Sequence, residues 1–145
     1  MMIRSPGFLL CYKQKGAMPM GIFRSFNPNP RTAKVGDCAV RAIAKALDID
    51  WYQAYVMLAI EGLSQCDMPS ANNVWGAVLR QNGFRRASIP AECPDCYTVG
   101  DFIREYPTGT YVVALKNHVV TVVDGVLYDT WNSTDENPIY FWRRE

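Results

Sequence analysis

The sequence predicts an α+β fold with helices in its first part and an antiparallel sheet in its second. Three observations carry this. Gly36-Asp37-Cys38 opens a run of good helix formers that continues to Leu47. Two more helix patterns follow before residue 82, each with its own start or stop signal. Beyond residue 110 the chain turns to β-branched and aromatic residues around Asp124-Gly125, a strong hairpin signal.

Residues 1–20, with four methionines and scattered Gly and Pro, read as a peripheral arm, and 21–145 as a single domain. Ile22–Phe26 alternates like a short strand, which Asn27-Pro28-Asn29-Pro30 stops. Asp37 is expected to cap the next helix by accepting from the N–H of Ala39 or Val40. Cys38 then lies in the first turn, at the positive end of the helix dipole. Arg41 and Lys45, four apart on an otherwise apolar helix, read as its polar stripe. A second helix is expected from Asp50 as N-cap to Gly62, with Trp51, Tyr55, Leu58 and Ile60 giving core surface. A third runs from Ala71 to Gln81 and is closed by Asn82-Gly83. Phe84–Ile89 reads as a strand and 90–96 as a loop. Thr98, with Asp101 three residues on, forms an acidic capping box for a short helix ending at Tyr106-Pro107. The expected strands after it are Tyr111–Leu115, His118–Val123, Val126–Trp131 and Pro138–Arg143.

Composition narrows the function. Of 145 residues 49% are apolar and 20% charged, which is globular. The formal net charge is +1 with no basic face, which argues against nucleic acid as the main partner. No apolar run reaches membrane length, and Gly7–Leu10 is too short for a signal core, so a cytoplasmic protein is expected. Five cysteines at scattered spacings do not read as a disulfide scaffold. Cys93 and Cys96 can supply two of the four ligands of a structural zinc site. Nothing in the spacing assigns Cys11 or Cys66 as the others. A tight turn with incidental thiols, and no metal or cofactor, is therefore expected.

The chemistry centres on Cys38. With Asp124-Gly125 as a two-residue turn, Val123 faces Val126, Val120 faces Asp129 and His118 faces Trp131. His118, Val120, Asp129 and Trp131 then share one face, and Asp129 lies diagonally from His118, roughly 7–8 Å by backbone position. A carboxylate there can hold one imidazole nitrogen and orient the other towards a thiol, with Trp131 as a cover. Taken singly, each residue has a plain structural role: a buried thiol, a strand-end histidine, a strand-end aspartate. Together they read as Cys38, His118 and Asp129 of a nucleophilic triad.

Helix-borne cysteine, then histidine, then Asp or Asn on the following strand is an order that resembles papain-like cysteine peptidases. Asp129-Thr130-Trp131 is similar to their Asn-x-Trp segment, and Asp37-Cys38 with His118-Val119-Val120 resembles the bacteriocin-processing, double-glycine branch. The Asn-Pro-Asn-Pro and Gly-Asp-Cys pattern is similar to that of small bacterial and phage proteins. The resemblance runs from about Ile22 to Arg143. It implies a papain-like fold and a thiol-dependent hydrolase of peptide or isopeptide bonds, working through a thioester. It also implies that asparagine could replace Asp129. The family's oxyanion glutamine has no counterpart among residues 31–35. Asn29, Thr32 or Asn27 is expected to donate instead, together with the N–H of Cys38. Acyl transfer on the same triad is a second reading. A non-catalytic papain-like module that grips another protein is a third, and a zinc-stabilised interaction module at Cys93 and Cys96 is a fourth.

Overall fold

The computed structural model describes residues 22–89, 92, 93 and 95–145, so the N-terminal arm and Cys11 lie outside the described residues. Among the described residues four helices and six strands follow in order: β1 (Phe23–Ser25), α1 (Cys38–Leu47), α2 (Trp51–Gln65), α3 (Asn72–Gln81), β2 (Phe84–Ser88), α4 (Val99–Glu105), β3 (Thr110–Leu115), β4 (His118–Val123), β5 (Val126–Asp129) and β6 (Tyr140–Arg144). The strands form one sheet in the order β1-β5-β4-β3-β6-β2. The fold is α+β, but the sheet is mixed. β1 pairs with β5 in parallel, Phe23 opposite Leu127 and Ser25 opposite Asp129, whereas the other ladders are antiparallel. Local pattern shows that β1 is extended. It does not show that its partner lies a hundred residues downstream.

The sheet is covered on both faces. On one side α1, α2 and α3 bury Ile43, Leu58, Val74 and Leu79 against Val112, Ala114 and Val119. On the other side Val99, Phe102 and Ile103 of α4 pack on Val113, Val120, Val122, Leu127 and Phe141. Alternate residues of β3 and β4 thus feed opposite cores, as the pleat requires. The hairpin forms as its turn residues dictate. Asp124 and Gly125 both take positive φ, 47° and 78°, and Val123 pairs with Val126. Asp50 accepts from the Gln53 backbone N–H while the Gln53 side chain accepts from that of Asp50, and Thr98 and Asp101 form the expected reciprocal box.

α2 departs from expectation. It runs to Gln65 rather than Gly62, and its buried row is Ala54, Leu58 and Gly62. Tyr55 and Ile60 are exposed, along with Tyr52, Val56 and Leu63. This helix is apolar almost all round, so hydrophobic spacing does not select its core face. Close packing selects it instead. A Cβ on Gly62 would lie 2.8 Å from the Asp67 carbonyl oxygen and 3.2 Å from the Pro69 nitrogen, both backbone atoms. Gly62→Ala is therefore expected to destabilise the domain by about 1–3 kcal/mol in a urea titration. An unchanged midpoint would show that the 67–69 turn does not depend on this close approach.

Cys93 and Cys96 form a disulfide. The expectation of incidental thiols is corrected: the turn that carries the Cys96 N–H to the Cys93 carbonyl also brings the two side chains together. Among the described residues no group of three or more His, Cys, Asp or Glu is placed to hold a metal ion, and no helix is long and apolar enough to cross a membrane.

Candidate active site

α1 delivers Cys38. The Thr121 hydroxyl of β4 donates to the Ala42 carbonyl at 2.8 Å, which ties the helix to the strand that begins with His118. By alternation His118 shares a face with Val120 and Asp129 with Leu127, which is the α4 side. Both nevertheless engage α1. They can do so because they stand at the same end of adjacent antiparallel strands, beyond the last paired residues, Thr121 and Tyr128.

His118 Nε2 lies 2.6 Å from Asp129 Oδ2. The Cys38 thiol is close enough to the His118 side chain and the Val119 backbone N–H for both to favour its thiolate. With Nε2 held by the carboxylate, Nδ1 is the nitrogen that serves the thiol. Trp131 lies beside the imidazole, ring centroids 5.0 Å apart and planes 33° from parallel, with its outer face in solvent. The turn register thus brings His118, Asp129 and Trp131 together, and the helix adds Cys38.

Charge is distributed to suit a nucleophile. Burial pushes the Cys38 thiol up. The His118 hydrogen bond and charge, the Val119 N–H and the Arg41 charge outweigh it, so the thiol ends below its ordinary value. Burial pushes His118 down, but the bonds and charges of Asp129 and Cys38 raise it to about 9. Both displacements favour a thiolate paired with an imidazolium at neutral pH.

Asp37 and Arg41 depart from expectation. Asp37 is at the N-cap position, but its carboxylate makes no cap bond. One oxygen binds Arg41 Nη1 and the other accepts from Trp51 Nε1 at 2.9 Å. The φ of −107° and ψ of 28° at Asp37 are not the extended geometry that aims a cap side chain back at the helix. Arg41 is no part of a solvated stripe. It is 6% exposed, and its Nε and Nη2 donate to Asp129 Oδ1 at 3.2 and 3.0 Å. Lys45, one turn on, lies over the Tyr128 ring, 3.9 Å from its centroid. The signal for Arg41 was in the sequence: an acid four residues ahead of an arginine, the favoured order for a helix pair. Its second partner, Asp129, was not visible locally.

Arg41 bears on the expectation that an asparagine could serve at position 129. Oδ2 accepts from His118 while Oδ1 accepts from Arg41. An amide has one acceptor oxygen, so its NH₂ would meet a donor on one side or the other.

Of the expected oxyanion donors, Thr32 uses its hydroxyl proton within its own loop, and Asn29 is oriented there through its side-chain oxygen. Asn29 Oδ1 accepts from the N–H groups of Arg31 and Ala33, and the Thr32 hydroxyl donates to the Arg31 carbonyl. Asn27 Nδ2 donates to the Ala33 carbonyl. The first-turn N–H groups of α1, which Asp37 leaves uncapped, are the donors nearest in sequence to the thiol. Between α1 and α2, a pocket of about 300 Å³ is lined by Val35, Asp37, Val40, Trp51, Tyr55 and Leu58, among others, but not by Cys38.

No protein-family model matches this chain, and no curated protein or solved structure matches it either.

Proposed function

We propose that the protein is a thiol-dependent hydrolase of peptide or isopeptide bonds, built on a papain-like plan, with Cys38 as nucleophile, His118 as acid and base, and Asp129 as the group that orients His118. The observation that carries this reading is the juxtaposition of three groups: His118 Nε2 bonded to Asp129 at 2.6 Å, with the Cys38 thiol beside the same imidazole.

The steps follow from the atoms present. The Cys38 thiolate attacks the substrate carbonyl carbon, forming a C–S bond and moving the carbonyl π electrons onto oxygen. The developing oxyanion is met by the Cys38 N–H and the uncapped first turn of α1, with no side-chain donor assigned. The imidazolium gives its Nδ1 proton to the leaving nitrogen as the C–N bond breaks, leaving a thioester and neutral His118. His118 then takes a proton from water, whose oxygen attacks the thioester carbon. Collapse releases the carboxylic acid and restores the thiolate and imidazolium. An amine in place of that water gives acyl transfer through the same thioester. The pocket beside Asp37 and Val40 suits an apolar side chain of the substrate.

The test uses p-nitrophenyl acetate as a general acyl donor. The expected result is a burst of about one p-nitrophenolate per chain, with the acetyl mass on Cys38 and slow turnover after it. Cys38→Ala removes the burst. Acetyl groups spread evenly over Cys11, Cys38 and Cys66 would contradict the reading. The non-catalytic binding module would then be favoured, since α2 exposes Tyr52, Val56, Ile60 and Leu63 on its outer side.

A further inference from the structure

We propose that Arg41 is a positioning residue: its guanidinium, anchored by Asp37, fixes the Asp129 carboxylate for His118 and makes a carboxylate, rather than an amide, necessary at position 129. This deepens the reading above and rests on it for the role of Cys38.

The guanidinium sits between two buried acids. Nη1 binds Asp37 Oδ1, while Nε and Nη2 converge on Asp129 Oδ1. Asp37 is itself fixed from behind by the indole N–H of Trp51. Asp37, Arg41 and Asp129 are 7%, 6% and 2% exposed, so water does little to screen or replace these bonds. Asp129 Oδ1 takes one more donor, the Thr130 N–H at 2.7 Å. That leaves Oδ2 for His118 alone. Arg41 thus determines which oxygen faces the imidazole and holds it there. The other charged groups around this carboxylate are His118 and, through it, the Cys38 sulfur. Lys45 is occupied with the Tyr128 and Phe26 rings.

If Arg41 imposes the carboxylate, removing Arg41 should make an amide acceptable at 129. In Asp129→Asn alone, the amide oxygen serves either Arg41 or His118, and its NH₂ opposes the other. In Arg41→Gln with Asp129→Asn, the amide at 129 can turn its oxygen to His118 and donate its NH₂ to the new glutamine oxygen. The chain has a single histidine, so its ring N–H signals are unambiguous by NMR. The wild-type protein is expected to show a slowly exchanging His118 Nε2–H. Asp129→Asn should lose it and should slow iodoacetamide labelling of Cys38 at pH 6 by about tenfold. The double variant should recover the Nε2–H signal and at least severalfold of the labelling rate. A merely structural role predicts the opposite order, with the double variant worse than either single one. The proposal is overturned if Asp129→Asn keeps the signal, or if the double variant shows no recovery. Should Arg41→Gln fail to fold alone or in combination, Arg41→Met paired with Asp129→Asn gives the same comparison, because methionine offers no donor to compete with His118. The NMR arm reads the Arg41–Asp129–His118 chain without reference to Cys38. Ordinary labelling of Cys38 in the wild type would therefore sink the hydrolase reading and leave this test standing.

Discussion

Replacing His118 by alanine is expected to slow alkylation of Cys38 at pH 6 by at least about tenfold. An ordinary thiol, with a pKa of about 8.5, is less than one per cent thiolate at that pH. In the wild type the His118 charge and contact lower the Cys38 thiol, so its thiolate fraction at this pH should be higher than that of an ordinary cysteine. The gain is partly offset because a thiolate of lower pKa is a weaker nucleophile. The measurement is limiting iodoacetamide under native conditions, followed by peptide mass analysis. Cys38 should label ahead of Cys11 and of the exposed Cys66. Cys93 and Cys96, joined to each other, should label last. Equal rates for the wild type and His118→Ala would mean that the imidazole does not activate the thiol in the free protein.

Asp129→Ala is expected to be the most destabilising single change at the site, by about 3–5 kcal/mol. It removes the acceptor of two Arg41 bonds, one Thr130 bond and the His118 bond. It also leaves a buried guanidinium balanced by Asp37 alone. A loss of that size is a large fraction of a small domain's stability. Urea titration should therefore show a clearly lower midpoint, and alkylation of Cys38 in the folded fraction should slow as His118 loses its orientation. A midpoint within about 0.5 kcal/mol of wild type would mean that Arg41 finds another partner, and the network would then not be the rigid support described above.

What could be read in advance divides along local and non-local lines. Asp124-Gly125 specifies its turn from two residues, because both must take positive φ. That one turn sets the register and brings His118, Asp129 and Trp131 to one place. Thr98 with Asp101 and Asp50 are likewise complete statements over four residues. Arg41 is different. Its burial depends on Asp129, eighty-eight positions away, and from its own helix it looks like any exposed arginine beside Lys45. Asp37 has the residue type of a cap and the position of a cap, yet the buried guanidinium claims its carboxylate first. β1 shows its extended character but not its parallel partner. Tyr55 and Ile60 of α2 read as core residues but face outward, because an all-round apolar helix carries no sidedness. Thr32 has donor chemistry and a position before the thiol, but its loop uses the hydroxyl proton internally.

The most direct measurement of the central claim is the pH dependence of Cys38 alkylation in the wild-type protein. The thiol is displaced downward and the imidazole upward, to about 9. As pH rises, the thiolate should therefore appear below the ordinary thiol range while His118 keeps its proton. Between the two titrations the protein holds the ion pair, and the rate should form a plateau. Above about 9 the imidazolium is lost, and the unpaired thiolate should alkylate faster still, while any hydrolytic turnover falls for want of the Nδ1 proton. A two-step profile is therefore expected, with its first step below the ordinary thiol range. A single step at about 8.5 or higher, with Cys38 no faster than Cys66 at pH 6, would contradict it.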